Sequence, residues 1–499
     1  MWISFKIVYQ KIIKIRCVNM KKSIRVNYIY NMIYQILIMI LPVITMPYVS
    51  RVLGADGIGI YGYTSSTLAY FILFGSLGIS LYGQREIAYL RDNKEKRSYA
   101  FYEIIFLRLV TMIISMLVYY FVLIRTSKYS LYYLIFLLEF ISTIFDISWF
   151  FQGIEEFDKI VFRQLITKIL SVICIFVFVK KPSDLVIYIL IYVLSLLVGN
   201  ASLWFYLPKY ISKINIKTLN IAKHIKPTIS LFIPQIAMQI YLVLDKTMIG
   251  KILKNMSEVG NYEQSQKIIK ITLVLVTSLG TVVASRIANN IANRNNKLVS
   301  KQLEKSFKFV WFLATPITFG AIAIAKNLVP WFLGPGYEQS IRIIMYGSAL
   351  ILAIGLNNVT GIQYLIPAKK QNLYTNSVIL GAIINFSLNL MLIPKYGAIG
   401  AIGASVIAEV SIFIIQLIYL KKIISIKSVF NKSYKNIISS IIMFIIVYYI
   451  GNKLNPSMIN TFILVFIGFS IYILLTLILK DEILIETLEF IKKKIIRRK

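Results

Sequence analysis

Apolar residues come along this chain in runs of about twenty, separated by short polar gaps. The runs lie near residues 26–50, 58–82, 101–124, 130–151, 161–179, 184–207, 228–250, 260–285, 309–325, 341–364, 372–393, 398–420, 436–450 and 458–479. An α-helix needs about 20 mostly apolar residues to cross a hydrocarbon core about 30 Å thick. The pattern therefore predicts an all-α integral membrane chain with about 14 transmembrane helices. Its first two spans, Asn31 to Ala88, form a hairpin whose turn carries Arg51. Pro42 and Pro47 interrupt the first span, and Gly54, Gly57, Gly59 and Gly62 loosen the turn and the start of the second. A proline inside a span frees backbone carbonyls that neighbouring helices or a wet cavity must satisfy. A packing kink and a cavity both fit, and the fixed cation at Arg51 favours the cavity.

Composition agrees: of 499 residues, 58% are hydrophobic and only 15% charged, too apolar for a soluble chain of this size. The net charge of +34 would point to nucleic acid in a soluble protein. Here the basic residues sit in the gaps between apolar runs, where they report topology, and no nucleic-acid partner is expected. With the N-terminus cytoplasmic, the inward gaps hold 39 Lys and Arg and the outward gaps ten. That bias predicts an even span count, a multi-pass protein of the cell (inner, cytoplasmic) membrane and both termini on the cytoplasmic side. The outward loops are short, about 15 residues at most (Lys326 to Ser340), so no soluble domain hangs outside. Residues 1–25 and 480–499 are basic and amphipathic, suited to an anionic leaflet. No cleaved signal peptide is expected, and Met20, just ahead of Lys21 and Lys22, is a candidate native start. Two cysteines and one histidine leave neither a disulfide framework nor a His/Cys metal cluster. No metal and no cofactor are expected beyond a coupling H+ or Na+.

Ionisable residues inside spans are costly and therefore mark function or a specific internal partner. Glu139 and Asp146, two helical turns apart with Thr143 between them, share a face of the fourth span. Gln235, Gln239 and Lys246, flanked by Asp245, form a stripe on the seventh. Glu263, Lys267, Lys270 and Thr277 form another on the eighth, and Glu409 lies in the twelfth. Arg51, Lys246, Lys267, Lys270, Gln235 and Gln239 are read as lining a water-filled, cationic, substrate-binding cavity. The alternatives are that Glu263 and Asp245 neutralise the lysines beside them or that the lysines snorkel outward. Glu139, Asp146, Asp245 and Glu409 are candidates for ion coupling, each against the alternative of a structural hydrogen bond. A short internal repeat, Gly59-Ile60-Tyr61 with Ser65 and Gly260-Asn261-Tyr262 with Ser265, opens the second and eighth spans, as in carriers built from related bundles. No nucleophile triad, metal cluster or cytoplasmic phosphate loop stands out, so no catalytic residues are assigned and the chain is not read as an enzyme.

The segments PYVSRVLGADGIGIYGY with LGISLYGQREIA, FDISWFFQGIEEFDKIVFRQLITKI (Phe145 to Ile169), LDKTMIGKIL (Leu244 to Leu253) and LIPKYGAIGAIGAS (Leu392 to Ser405) are informative together. In this order over residues 21–480 the chain resembles the oligosaccharide-repeat (O-antigen) flippases of the polysaccharide transporter family, within the multidrug/oligosaccharidyl-lipid/polysaccharide exporter superfamily. The resemblance implies two six-helix lobes facing one another in a V, plus two C-terminal helices. On this sequence that gives a basic tail at 1–25, an N-lobe at 26–207, a cytoplasmic linker at 208–227, a C-lobe at 228–420, two further helices at 436–479 and a basic tail at 480–499. The implied substrate is a polyprenyl-diphosphate-linked oligosaccharide delivered outward for capsule, O-antigen or related glycan. Membrane lipids, a polysaccharide polymerase and glycosyltransferases of the same pathway are the implied partners. The family's cationic cavity is carried over to Arg51, Lys246, Lys267 and Lys270. The alternatives are a drug or metabolite exporter of the same superfamily and, behind it, a membrane glycan polymerase or ligase.

Overall fold

The computed structural model describes residues 24–278, 280–421 and 423–496. The candidate start at Met20 and most of the basic N-terminal tail lie outside the described residues. Every regular element among them is helical. The first half holds α1 (Ile24–Ser76), α2 (Ile79–Tyr89), α3 (Lys94–Tyr119), α4 (Leu137–Phe145), α5 (Phe157–Phe178) and α6 (Leu185–Ser202). The second holds α7 (Ala222–Leu253), α8 (Met256–Thr277), α9 (Gly280–Ala292), α10 (Asn296–Phe332), α11 (Glu338–Gly347), α12 (Ala349–Asn357) and α13 (Gln371–Leu420). Then come α14 (Ser433–Lys453), α15 (Met458–Ile478) and α16 (Glu482–Ile496).

Among the described residues ten helices are long and apolar enough to cross a membrane, or up to eleven with one bent pair counted as a single span, against about fourteen expected. Two of them, Leu41–Tyr89 and Gln371–Leu420, run for 49 and 50 residues, about twice what one crossing needs. Each is bent at a glycine: Gly54 in α1 (φ 68°) and Gly397 in α13 (φ 60°). At positive φ a Cβ crowds the backbone, so glycine is the residue that takes this conformation without strain. The turn expected around Arg51 is thus a one-residue break just beyond it, with helix on both sides.

Separate cores hold the halves. One gathers Val49, Leu68, Met112, Tyr119 and Phe140, and a second near it gathers Phe101, Trp149 and Phe150. Another, around Ile249, Tyr262, Phe307, Ile351 and Ile402, fills the second half. The final pair α14 and α15 packs on α10 through Ala323, Met443, Val447 and Leu464. Between helices in a membrane, close van der Waals contact and hydrogen bonds replace the aqueous hydrophobic drive, and small residues let backbones approach. The crossing of α1 and α8 shows this. A Cβ on Gly59 would lie 1.7 Å from the Met256 carbonyl oxygen, and one on Gly260 would lie 1.9 Å from that of Ala55. These glycines open the two copies of the internal repeat, so the copies pack against each other.

The same end is further closed by a small core joining Met46 and Ala55 to Ala325, Val329, Leu333 and Tyr337. The charge bias predicts that this end faces outward. At the opposite end a polar clamp ties α2 and α3 to the start of α7. His224 hydrogen-bonds Tyr82 Oη through Nδ1 (2.6 Å) and Glu103 through Nε2 (2.9 Å). Lys223 pairs with Glu103 at 2.7 Å, and the Asn220 amide donates to the same carboxylate at 2.8 Å.

Candidate functional site

α8 enters on an Asn255 cap, whose side chain accepts from the Ser257 amide, and its polar stripe then runs between two cavities. The first, about 310 Å³, lies among α1, α5, α6 and α8. Its polar lining is Thr45 from α1, Arg163, Gln164, Thr167, Lys168 and Ser171 from α5, Tyr188, Tyr192, Ser195 and Asn200 from α6, and Gln264 and Lys267 from α8. Among the described residues three cations border it and no carboxylate does, though Lys267 is paired from behind by Glu263. The second, about 290 Å³, lies among α7, α8, α12 and α13 and is bordered by Lys270 together with Asp245 and Glu409. A third, about 330 Å³ and almost wholly apolar, is formed by Phe312, Pro316, Gly320, Met443, Gly468 and Phe469 of α10, α14 and α15, among others.

The four cations singled out in the sequence do not share one chamber. Arg51 donates to the Trp331 carbonyl and packs over Gly334, at the crossing between the halves; it is not among the residues lining these cavities. Lys246 pairs with Glu263 at 2.9 Å and Lys267 pairs with the same carboxylate at 3.1 Å. Neutralisation, left open above, is therefore what these two lysines show. Lys267 also borders the first cavity, whereas Lys270 borders the second. Residues three apart on a helix point about 60° apart, so one stripe can serve both sides of α8. Gln235 is half-buried and Gln239 exposed, and neither borders the cavities described.

The carboxylates also separate. Asp245, 6% exposed, accepts from Tyr262 Oη, from Ser405 Oγ at 2.5 Å and from the Asn389 amide at 2.7 Å. Asn389 donates as well to Asn385 (3.1 Å), and Asn385 donates to Ser405 (3.2 Å). The Asn389 Oδ1 atom is buried with no partner among the described residues. Glu409 accepts from Tyr241 Oη at 3.0 Å and Asn357 Nδ2 at 2.6 Å. Glu139 is half-buried, within electrostatic reach of the Tyr61 and Tyr192 phenols. Asp146 does not continue its helical face, because α4 ends at Phe145. It accepts from the Ser148 amide (3.0 Å) and hydroxyl (2.5 Å), and Arg108 donates to its carbonyl, which holds a break in the helix.

Arg163 and Lys168 were missed by the sequence reading. Arg163 falls at the edge of the predicted run 161–179, yet it is 7% exposed and donates to the Gly199 carbonyl (2.7 Å) and Asn200 Oδ1 (2.8 Å). The signal was present: Arg163, Thr167 and Ser171 follow i, i+4, i+8 spacing, with Gln164 and Lys168 alongside. A buried arginine and half-buried lysines can hold a desolvated anion, and the hydroxyl, amide and phenol groups beside them can hydrogen-bond sugar hydroxyls.

A family model described as polysaccharide biosynthesis protein matches residues 24–289. A protein of Escherichia coli (strain K12) named as a candidate O-antigen transporter is 24% identical over 406 residues, covering 80% of this chain and 97% of that one. A protein of Haloferax volcanii named as a candidate low-salt glycan biosynthesis flippase is 21% identical over 241 residues, covering 48% of this chain and 50% of its own length. Both names are those of transporters, not of enzymes. In fold, the chain is similar to the lipid II flippase MurJ in an inward closed conformation, with a TM-score of 0.71 at 16% identity over 91% of this chain and 100% of that one. It is also similar to an inward-facing multidrug resistance MATE family transporter of the MOP superfamily, with a TM-score of 0.60 at 10% identity over 77% of this chain and 94% of that one.

Proposed function

We propose, for a chain that belongs to the polysaccharide biosynthesis protein family, that it is a flippase moving a polyprenyl-diphosphate-linked oligosaccharide from the cytoplasmic to the outer leaflet of the cell membrane. The observation that carries this reading is the first cavity, bordered among the described residues by Arg163, Lys168 and Lys267 and by no carboxylate. A diphosphate cannot enter hydrocarbon unpaired, and cations with Thr, Ser, Tyr, Asn and Gln beside them suit it and the sugars it carries. A cationic drug would instead be repelled there. The apolar cavity between α10, α14 and α15 fits a polyprenyl chain that never leaves the lipid phase. Movement of the halves about the α1–α8 crossing would expose the first cavity to either side in turn. The product would feed capsule, O-antigen or related glycan synthesis, with the polymerase and glycosyltransferases of that pathway as partners.

For coupling to H+ or Na+ we propose Asp245. Its surroundings of Asn385, Asn389 and Ser405, with an unpartnered Asn389 oxygen, form the hard-oxygen donor set that suits a proton or Na+. The test is transport into vesicles under imposed Na+ and pH gradients. Lys168→Gln and Lys267→Gln should lower transport of the lipid-linked oligosaccharide with membrane insertion intact, and Asp245→Asn should remove the gradient response. Full transport in both lysine variants would reject the cavity assignment.

A further inference from the structure

Glu263 is buried, yet it lies on the helix that borders the cationic cavity and holds two lysines at once: Lys246 at 2.9 Å through Oε2 and Lys267 at 3.1 Å through Oε1. Lys267 borders the first cavity; Lys246 does not. The carboxylate therefore bridges a cavity cation and a cation behind it. The next residue, Gln264, donates its amide to Ser50 at 2.7 Å and keeps a buried Oε1 with no partner among the described residues, at the same cavity. The chain thus presents there one cation already engaged and one acceptor still open. Gly62 faces Glu263 from the opposing arm of α1, where a Cβ would sit 3.7 Å from its Cβ and Cγ.

On the flippase reading above, we propose that Glu263 is a stand-in anion, which occupies Lys267 when the cavity is empty and yields it to the substrate diphosphate. A polyprenyl diphosphate carries more negative charge than one carboxylate, so it outcompetes Glu263 for Lys267 while Glu263 keeps Lys246. Two things follow. The empty cavity avoids an uncompensated, half-buried cation, whose partial desolvation is costly. The substrate is also held less tightly than bare lysine, arginine and amide groups would hold it, and a carrier requires this because its ligand must leave as well as enter. When the diphosphate departs, Glu263 closes on Lys267 again and opposes rebinding.

The test uses the full chain, purified in lipid nanodiscs, with farnesyl diphosphate as probe, and compares wild type, Glu263→Gln, Glu263→Asp, Lys168→Gln and Lys267→Gln alone and in the Glu263→Gln background. The stand-in role requires Glu263→Gln to bind the probe about fivefold to tenfold more tightly, mainly through slower release, since truncating a partner of a buried charge pair acts on the off-rate. It further requires Lys267→Gln to weaken binding more in the Glu263→Gln background than in wild type, because only there is Lys267 unengaged beforehand. Glu263→Asp should stay near wild type. Binding that is unchanged or weaker in Glu263→Gln, while Lys168→Gln weakens it, would overturn the stand-in role and leave the flippase reading intact. Absence of probe binding in wild type and Glu263→Gln alike, or binding indifferent to Lys168, would overturn both.

Discussion

The Gly59–Gly260 crossing is where one added methyl group should shift the balance between closed and open forms. A Cβ at residue 59 would lie 1.7 Å from Met256 O, against a floor near 3.0 Å for real Cβ contacts, so α1 and α8 must part by about 1.3 Å. The obstructing atoms are backbone, and no flexible side chain can swing aside. Overpacking of this kind costs about 1–3 kcal/mol. The helix-propensity gain of alanine over glycine is shared by open and closed forms and cancels from their ratio. The closed population should therefore fall by about fivefold to more than a hundredfold relative to the open one. The readout is a cysteine at Ser50, which is 0% exposed and lies between Gln264 and Tyr337, in a chain whose Cys17 and Cys174 are replaced by serine. A membrane-impermeant maleimide added outside should label Ser50→Cys at least about fivefold faster when Gly59→Ala is present. Gly260→Ala should act in the same direction. Equal labelling with and without both substitutions would show that this crossing does not gate access.

Three further outcomes are expected. Glu103→Ala leaves buried His224 and the Asn220 amide without their shared acceptor and should cost about 3 kcal/mol, read as a lower Tm of the purified chain, with Glu103→Gln intermediate. The C-terminal helix α16 is tied down by Lys308 and Lys432 on Glu482 and by Lys305 on Glu486. Hydrogen bonds from Lys308 and Lys432 hold the Glu482 carboxyl down to about 2. Because the folded value lies below the unfolded one of about 4.3, that contribution is complete above about pH 4.3 and fades as pH falls toward 2. Protection from hydrogen exchange at residues 482–489, taken relative to the intrinsic rate at each pH, should fall within that window and not above it. Finally, Glu409→Gln removes an acceptor of Tyr241 and Asn357 without touching the first cavity; farnesyl diphosphate affinity should stay within about twofold of wild type, and a larger change would place Glu409 in headgroup binding.

The membrane character and helical class were legible because twenty-residue apolar runs have one physical use. The break at Gly54 was legible too, since glycines cluster there and positive φ excludes most side chains; the matching break at Gly397 was not singled out. What periodicity could not give was partnership across the bundle. Lys246, Glu263 and Lys267 read equally well as a wet cationic stripe and as a closed ion triad, and only their distances separate the two. Arg51 was drawn into the cavity because it sits on a proline-broken span, yet its guanidinium reaches a carbonyl of the other half. Arg163 was passed over because it lies at a predicted span boundary, where a basic residue is ordinarily an anchor. Asp146 fell on a helical face only under the assumption of an unbroken helix, and short breaks without proline or glycine leave little trace in sequence.

The central claim, that the cationic cavity among α1, α5, α6 and α8 receives a diphosphate-linked saccharide, is tested most directly by photo-crosslinking in cells that make the substrate. A photoreactive amino acid would be placed in turn at Ser171 and Ser195, which border the cavity, and at Ile173 and Phe178, which are more than half exposed on the outer face of α5. Capture of lipid-linked oligosaccharide at Ser171 and Ser195, with loss of capture on adding Lys168→Gln, is the expected result. Capture of membrane phospholipid alone at all four positions would contradict the claim.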